Sequence, residues 1–173
     1  KINFSTYPSL EAQISAISDD IAYNNHDIQD GINANLFKLE ELVEIDFFKS
    51  IYLKYKNKID KKNYKIATYQ IIRDSIDQMI RDLLTNTQKN LNELKIKSAK
   101  EVTKSDKLIV SFSNKLKNSE KEIRLFLRSK MYNNKLVLRK NQRGKVIIKK
   151  LFDIIKSKPR KFLTKDQLTK DKY

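Results

Sequence analysis

Between Ser18 and Gly31 the chain reads SDDIAYNNHDIQDG, which sets Asp19, Asp20, Asp27, Asp30, Tyr23 and the only histidine, His26, within fourteen positions. Carboxylate oxygens and an imidazole are ligands for hard and borderline divalent cations. Residues four apart stack on one side of a helix, so Asp19, Tyr23 and Asp27 form one row, flanked by His26 and Asp30. Ile14, Ile17 and Ile21 fall on the other side. Like charges at this spacing repel by about 0.2–0.5 kcal/mol per pair on a bare helix. A cation or a basic pocket removes that repulsion. For any single aspartate the alternative is a solvated carboxylate paired with one of the many lysines. One helix also cannot aim enough ligands at one point to hold a metal alone.

The elements that must position this row follow from capping and periodicity. Ser9 suits the N-cap of the helix, and Gly31 suits its stop. A second helix is expected over 36–43, with Phe37 and Leu39 apolar, and a third from Glu44 through Tyr55. Lys56 to Lys62 is a polar connection. Tyr64 to Leu94 reads as one long helix whose buried side holds Ile72, Ile76, Met79, Ile80, Leu83 and Leu84. Ser98 to Lys107 is expected to be loop, and Leu108 to Phe112 is the one stretch that looks extended. Asn118 or Ser119 with Glu122 resembles a capping box opening a helix through Tyr132, with Ile123, Phe126, Leu127 and Met131 on its apolar face. Asn133-Asn134 breaks the pattern before a helix over Leu136 to Ile155. The last stretch, 158–173, is a short basic tail.

Composition narrows the classes. With 37 basic and 21 acidic residues among 173, the net charge is +16, part of which reflects an Asn-, Ile- and Lys-rich bias of the kind AT-rich genes produce. The absence of cysteine excludes disulfides, thiolate catalysis and cysteine zinc sites. Two glycines and two prolines leave few helix breakers, so the expected fold is all-α. No apolar run approaches the roughly 20 residues of a membrane span, and Lys1-Ile2-Asn3 does not open a signal peptide. A cytoplasmic protein without membrane contact is expected. A start at Lys1 rather than Met suggests a fragment or a processed product.

At this point the residues carry a resemblance. YPSLEAQISAISDDIAYNNHDIQDGI (Tyr7 to Ile32) closely resembles a segment of the bacterial deoxyguanosine triphosphate triphosphohydrolase-like proteins of the HD-domain superfamily. IIRDSIDQMIRDLL (Ile71 to Leu84) is similar to that family's following long helix, and VSFSNKLKNSEKEIRLFLRSKMYNNKLV (Val110 to Val137) to its C-terminal segment. The resemblance implies the C-terminal half of an HD-domain phosphohydrolase with an incomplete core. Residues 1–35 would be the end of the HD domain, 36–157 a helical C-terminal region and 158–173 the tail. The family converts a deoxynucleoside triphosphate and water to the deoxynucleoside and tripolyphosphate. Its divalent metal, magnesium, manganese or similar, sits in an H…HD…D set of two histidines and two aspartates. Asp19 matches the last of these ligands, Tyr23 a tyrosine that contacts substrate, and Asp27 a carboxylate near the sugar and phosphates. Nothing before Tyr7 supplies the other ligands. His26-Asp27 is an HD pair only by letter, since it lies on the same helix as Asp19. No catalytic residue is assigned to this chain, and the missing N-terminal half is an expected partner. The histidine that follows Met-Tyr in the family is replaced by Asn133 or Asn134.

Three function classes are thus carried forward. In the first, the chain is part of a deoxynucleoside triphosphate triphosphohydrolase, inactive alone. In the complete enzyme the metal polarises the α-phosphate or a bound water, and cations neutralise the triphosphate. Lys65, Arg73 and Arg81 are candidates, of which Arg73 is chosen as substrate-binding. In the second, the chain is a basic helical module for single-stranded nucleic acid. From Lys135 to Lys161 there are eleven basic residues against one acid, Asp153, with Arg139, Arg143, Lys150 and Lys156 flanking a core-backed apolar face of Val146, Leu151, Phe152 and Ile155. In the third, helices 36–55 and 120–155 supply faces for a homo-oligomer.

Overall fold

The computed structural model describes residues 6–164, and every regular element among them is helical. The elements are α1 (Leu10–Asn33), α2 (Asp46–Tyr55), α3 (Tyr64–Glu93), α4 (Ala99–Thr103), α5 (Asn114–Leu127), α6 (Lys135–Ser157) and α7 (Pro159–Phe162). Short 3-10 turns at Leu39–Glu44 and Lys56–Lys58 flank α2, and a π-helical turn at Arg128–Tyr132 follows α5. The all-α expectation holds. The chain divides into two compact units, 1–131 and 132–173.

In the first unit α1 and α3 pack antiparallel and carry α2 and α5 against them. Ser9 caps α1 as expected, its hydroxyl accepting from the Ala12 N–H. Gly31 is not the stop. The helix continues to Asn33 and ends at Asn35, whose φ of 53° lets its N–H bond Ile32 O and the Leu36 N–H bond Gly31 O. Lys95, also at φ 53°, ends α3 in the same way. Asparagine tolerates this left-handed position, so a glycine was not needed for it. Gly31 is instead where the Phe37 ring lies against the helix: a Cβ there would sit 2.2 Å from Phe37 Cε1. Phe37 in turn packs edge-on against Phe126, 4.9 Å between ring centres.

The buried side of α3 is rotated from the expected one. Ala67, Thr68, Ile71, Ile72, Ser75, Met79 and Leu83 face the core, while Ile76 is half-buried and Ile80 and Leu84 are exposed. Three-four spacing fits two rows on this helix, and the polar residues decide between them. Ser75 donates to Asn25 Oδ1 at 2.7 Å and Asn25 donates to Ile21 O, which fixes a buried polar crossing on the α1 side. Asp74 accepts from the Tyr55 hydroxyl on the α2 side.

Leu108 to Phe112 is not a strand. It is an irregular segment whose buried backbone is satisfied by side chains. Gln13 Oε1 accepts from the N–H groups of Ile109 and Val110 at 2.9 and 3.0 Å. Asn90 donates to Ile109 O, and Asn86 to Ser111 O, each at 2.7 Å. The next helix opens at Ser113 rather than at Asn118 or Ser119. The Ser113 hydroxyl accepts from the Leu116 N–H and donates to Asp82, which also accepts the Ser113 N–H. The expected loop 98–107 contains the short helix α4, capped by Ser98. The expected second helix is the 3-10 turn, anchored by buried Leu39 and Leu42 and by an ion pair from Lys130 to Glu41, 2.6 Å, that holds the Glu41 carboxyl below its usual range.

In the second unit α6 opens at Asn134, whose side chain accepts from the Leu136 N–H. No residue of α6 is buried, so the expected core-backed face is absent. Val146 lies about 140° around the helix from Leu151 at 100° per residue, among the cations; the half-buried apolar residues Val137 and Ile155 share instead the side of Leu151 and Ile148. The basic tail expected over 158–173 is described only to Thr164, where Pro159–Phe162 forms a single turn, and the rest of it lies outside the described residues, as does Lys1-Ile2-Asn3.

The two glycines give opposite expectations. Gly31→Ala gains about 1 kcal/mol of helix propensity but overpacks the Phe37 ring, which costs about 1–3 kcal/mol; with the contact so short, the upper end applies and net stability falls by about 1–2 kcal/mol. Gly144→Ala, with nothing within 4 Å, keeps only the gain and raises helicity. Urea denaturation and far-ultraviolet circular dichroism of the two variants check the signs.

Candidate functional site

The acidic row lies on the outward face of α1. Gln13, Ile21, Asn24, Asn25, Ile28 and Ile32 turn inward, which leaves Asp19, Tyr23, His26 and Asp30 exposed and Asp27 half-buried. Tyr23 is 68% exposed, a large value for an aromatic on a helix that packs on two others. The helix thus brings Asp19, Tyr23 and Asp27 onto one side, as the four-residue spacing predicts. Asp20 points elsewhere: it accepts from Arg124 of α5 at 3.0 Å. Arg124 is also bound to Glu120, and these two carboxylates, Glu120 first, raise the guanidinium pKa above its ordinary value.

The three cations proposed from α3 differ in their surroundings. Arg81 is paired with Asp77 at 2.8 Å, and Lys65 sits over the Tyr69 ring at 5.7 Å. Arg73 makes no ion pair among the described residues. It edges a shallow hollow shared with Tyr69, Ile72, Ile76 and, from α1, Gln29. That hollow adjoins the outer side of α1 but does not include Asp19, Tyr23 or Asp27, so Arg73 is not gathered with them.

A cleft with a volume of about 690 Å³ lies on the other side of α1. Asp20, Asn86, Asn90, Ser111, Lys117 and Arg124 are among its walls, and none of the sequence-derived site residues is. Its floor is the irregular segment held by Gln13, Asn86 and Asn90. Sequence reasoning did not reach those amides, because a polar side chain that satisfies distant backbone leaves no periodic signal.

Among the described residues, no three His, Cys, Asp or Glu side chains are grouped so as to hold a metal ion. Asp19 offers one carboxylate, which does not by itself fit a divalent cation. Nor is any helix among the described residues long and apolar enough to cross a membrane.

The helical architecture and the outward acidic face make an open surface rather than a closed active site. The family described as phosphohydrolase-associated domain matches residues 110–171. A deoxyguanosinetriphosphate triphosphohydrolase-like protein of Pelagibacter ubique (strain HTCC1062) is 63% identical over 171 residues, which is 99% of this chain and 46% of that relative. Proteins of the same description from Caulobacter sp. (strain K31) and Rickettsia peacockii (strain Rustic) are 30% and 32% identical, over 92% and 88% of this chain and 40% of each relative. The chain is a relative of the deoxyguanosinetriphosphate triphosphohydrolase-like proteins along nearly its whole length, and it spans less than half of theirs.

The separate orientations of Asp19 and Asp20 have a measurable consequence. Asp20→Ala breaks the tie from α1 to Arg124, a half-exposed pair of the kind that contributes about 0–1 kcal/mol. Its chemical-denaturation midpoint should fall slightly, whereas Asp19→Ala, which removes a solvated carboxylate, leaves the midpoint unchanged.

Proposed function

We propose that this chain is the C-terminal part of a deoxynucleoside triphosphate triphosphohydrolase, dGTPase-like, acting in the cytoplasm. The complete enzyme would convert a deoxynucleoside triphosphate and water to the deoxynucleoside and tripolyphosphate. The observation that carries this reading is the 63% identity along 99% of the chain to a relative described as deoxyguanosinetriphosphate triphosphohydrolase-like. Its physical support is the outward face of α1, where Asp19, Tyr23 and Asp27 align with no other element of the described chain grouped around them as metal ligands.

In this reading Asp19 is one ligand of a divalent metal whose other ligands come from the missing N-terminal half. When bound, the metal would polarise the α-phosphate or a water. No step through it follows from this chain alone. Tyr23 would hydrogen-bond the substrate, Asp27 would face the sugar and phosphates, and Arg73 would neutralise phosphate charge. The working enzyme is further proposed to be a homo-oligomer.

A second reading rests on α6. Arg139, Arg143, Lys145, Lys149, Lys150 and Lys156 occupy one side of a helix that buries nothing. Such a row would hold the backbone of single-stranded nucleic acid with steep salt dependence. Fluorescence anisotropy of a labelled oligonucleotide across a salt series decides it, since binding that ignores salt, or none at low salt, removes this reading.

For the principal reading, the purified chain releases no tripolyphosphate from deoxynucleoside triphosphates with magnesium or manganese. Joined to the N-terminal part of the Pelagibacter ubique relative, it gains that activity. In the joined protein Asp19→Ala abolishes metal content and turnover. Tyr23→Phe keeps the metal and weakens substrate handling by about 1.5–3 kcal/mol, the cost of an unmade hydrogen bond to a charged group. Asp20→Ala affects metal content least. Full metal occupancy in Asp19→Ala would refute the assignment.

A further inference from the structure

The outer side of α3 carries a second apolar row. Ile66, Tyr69, Ile76, Ile80 and Leu84 recur at three- and four-residue spacing, and all but half-buried Ile76 are exposed, with Leu84 at 63% and Ile66 at 60%. A helix buried on one side and solvated on the other has polar residues on its outer side. Here the core row and the outer row are both apolar, with Arg73 as the cation set into the outer one.

This row is not isolated. The antiparallel crossing brings the Gln13 end of α1 to the Asn90 end of α3, since both bind Ile109, and it brings Gln29 beside Arg73 and Tyr69. In that register the outer row of α3 runs along the flank of α1 that holds exposed Ile14 and Ala22. The next side of α1 around from that flank is the one with Asp19 and Tyr23. An apolar strip and the side of α1 with the exposed Asp19 and Tyr23 are thus continuous across two helices of one unit.

We infer that this strip is the seat of the N-terminal half, with Ile80 and Leu84 of α3 as its anchors. The inference rests on the functional reading above and names the surface through which that reading would be realised. Three observations select the occupant. More than half of the Pelagibacter ubique relative has no counterpart in this chain, so a domain-sized partner exists in the same protein family. The strip borders exposed Asp19, which in the reading above is one ligand of a metal whose other ligands lie in that partner. The strip also lies outside that unit's buried cluster of Phe37, Phe48, Ile71, Met79 and Leu127, and no described element of the unit covers it. A second copy of this chain would bring like acidic rows together beside the strip, whereas a partner supplying histidines and a shared cation would neutralise them.

The test is co-expression of the full 173-residue chain with a separate polypeptide, the part of the Pelagibacter ubique relative that it does not cover. A one-to-one complex is expected by size-exclusion chromatography with light scattering. The Ile80→Glu/Leu84→Glu double variant should keep the thermal melt of the parent, both sites being exposed, and bind the partner at least tenfold more weakly by titration calorimetry. Without added divalent metal, Asp19→Ala should bind the partner at least as well as the parent does, and with metal added it should take up none. A complex that forms yet never takes up metal would sink the functional reading and leave this surface standing. Metal uptake and hydrolysis with a double variant that binds undiminished would do the reverse. Absence of any complex, or a dimer of the chain alone that the double variant dissolves, overturns the inference.

Discussion

The segment from Leu108 to Phe112 has no strand to pair with, and its buried backbone groups must still be hydrogen-bonded. An unpaired buried amide costs about 1–3 kcal/mol, so the segment survives only because Gln13, Asn86 and Asn90 reach it from two helices. The Gln13 side chain is itself buried, with its amide nitrogen donating to Pro8 O and its oxygen accepting two N–H groups. This one side chain fixes the rotation of α1. With Gln13 turned inward, Ile21, Asn25, Ile28 and Ile32 must follow at helical spacing, and Asp19, Tyr23 and His26 are turned out.

The same constraint reaches α3. Asn86 and Asn90 must face the irregular segment, and Asp82 must face Ser113 to start α5. Those three positions, with Ser75 on Asn25, define the inward side of the helix. Ile80 and Leu84 are then forced outward, whatever their hydrophobicity. Polar residues thus choose between two apolar rows that burial alone would leave nearly degenerate. Hydrogen bonding supplies the direction here, and burial of Ile71, Ile72, Met79 and Leu83 supplies the stabilisation.

What the sequence made legible follows that division. The helices α1, α3 and α6, the Ser9 cap and the common side of Asp19, Tyr23 and Asp27 all rest on local spacing, and the helices were found there. The inward side of α3 was misassigned because Ile80 and Leu84 score as core by type, while the deciding partners, Asn25 and the backbone of Ile109 and Ser111, are distant in sequence. The apparent strand at 108–112 has the right composition, but a strand needs a neighbour, and this one is replaced by amide side chains. Ser113 was passed over as a cap because its second partner, Asp82, lies thirty-one residues away. Gly31 signalled a stop by type, whereas its hydrogen atom is what admits the Phe37 ring. The family relationship was legible from the Tyr7 to Ile32 segment, since the row that faces outward is also the one whose residues the resemblance quotes.

The outer faces of α1 and α3 combine two kinds of surface whose energies act differently on association. Apolar area contributes about 25 cal/mol per Å² whichever surface covers it. A carboxylate such as Asp19 loses hydration on burial, a cost of several kcal/mol that only a well-placed cation or hydrogen-bond set offsets. On its own, then, the chain keeps Asp19 in water at no cost, and its apolar strip would attract any apolar surface. A correct partner gains from both terms together, because it covers the strip and supplies what the carboxylate lacks. A wrong partner gains the first and loses the second. The strip therefore sets how strongly the chain associates, and the acidic row beside it sets with what.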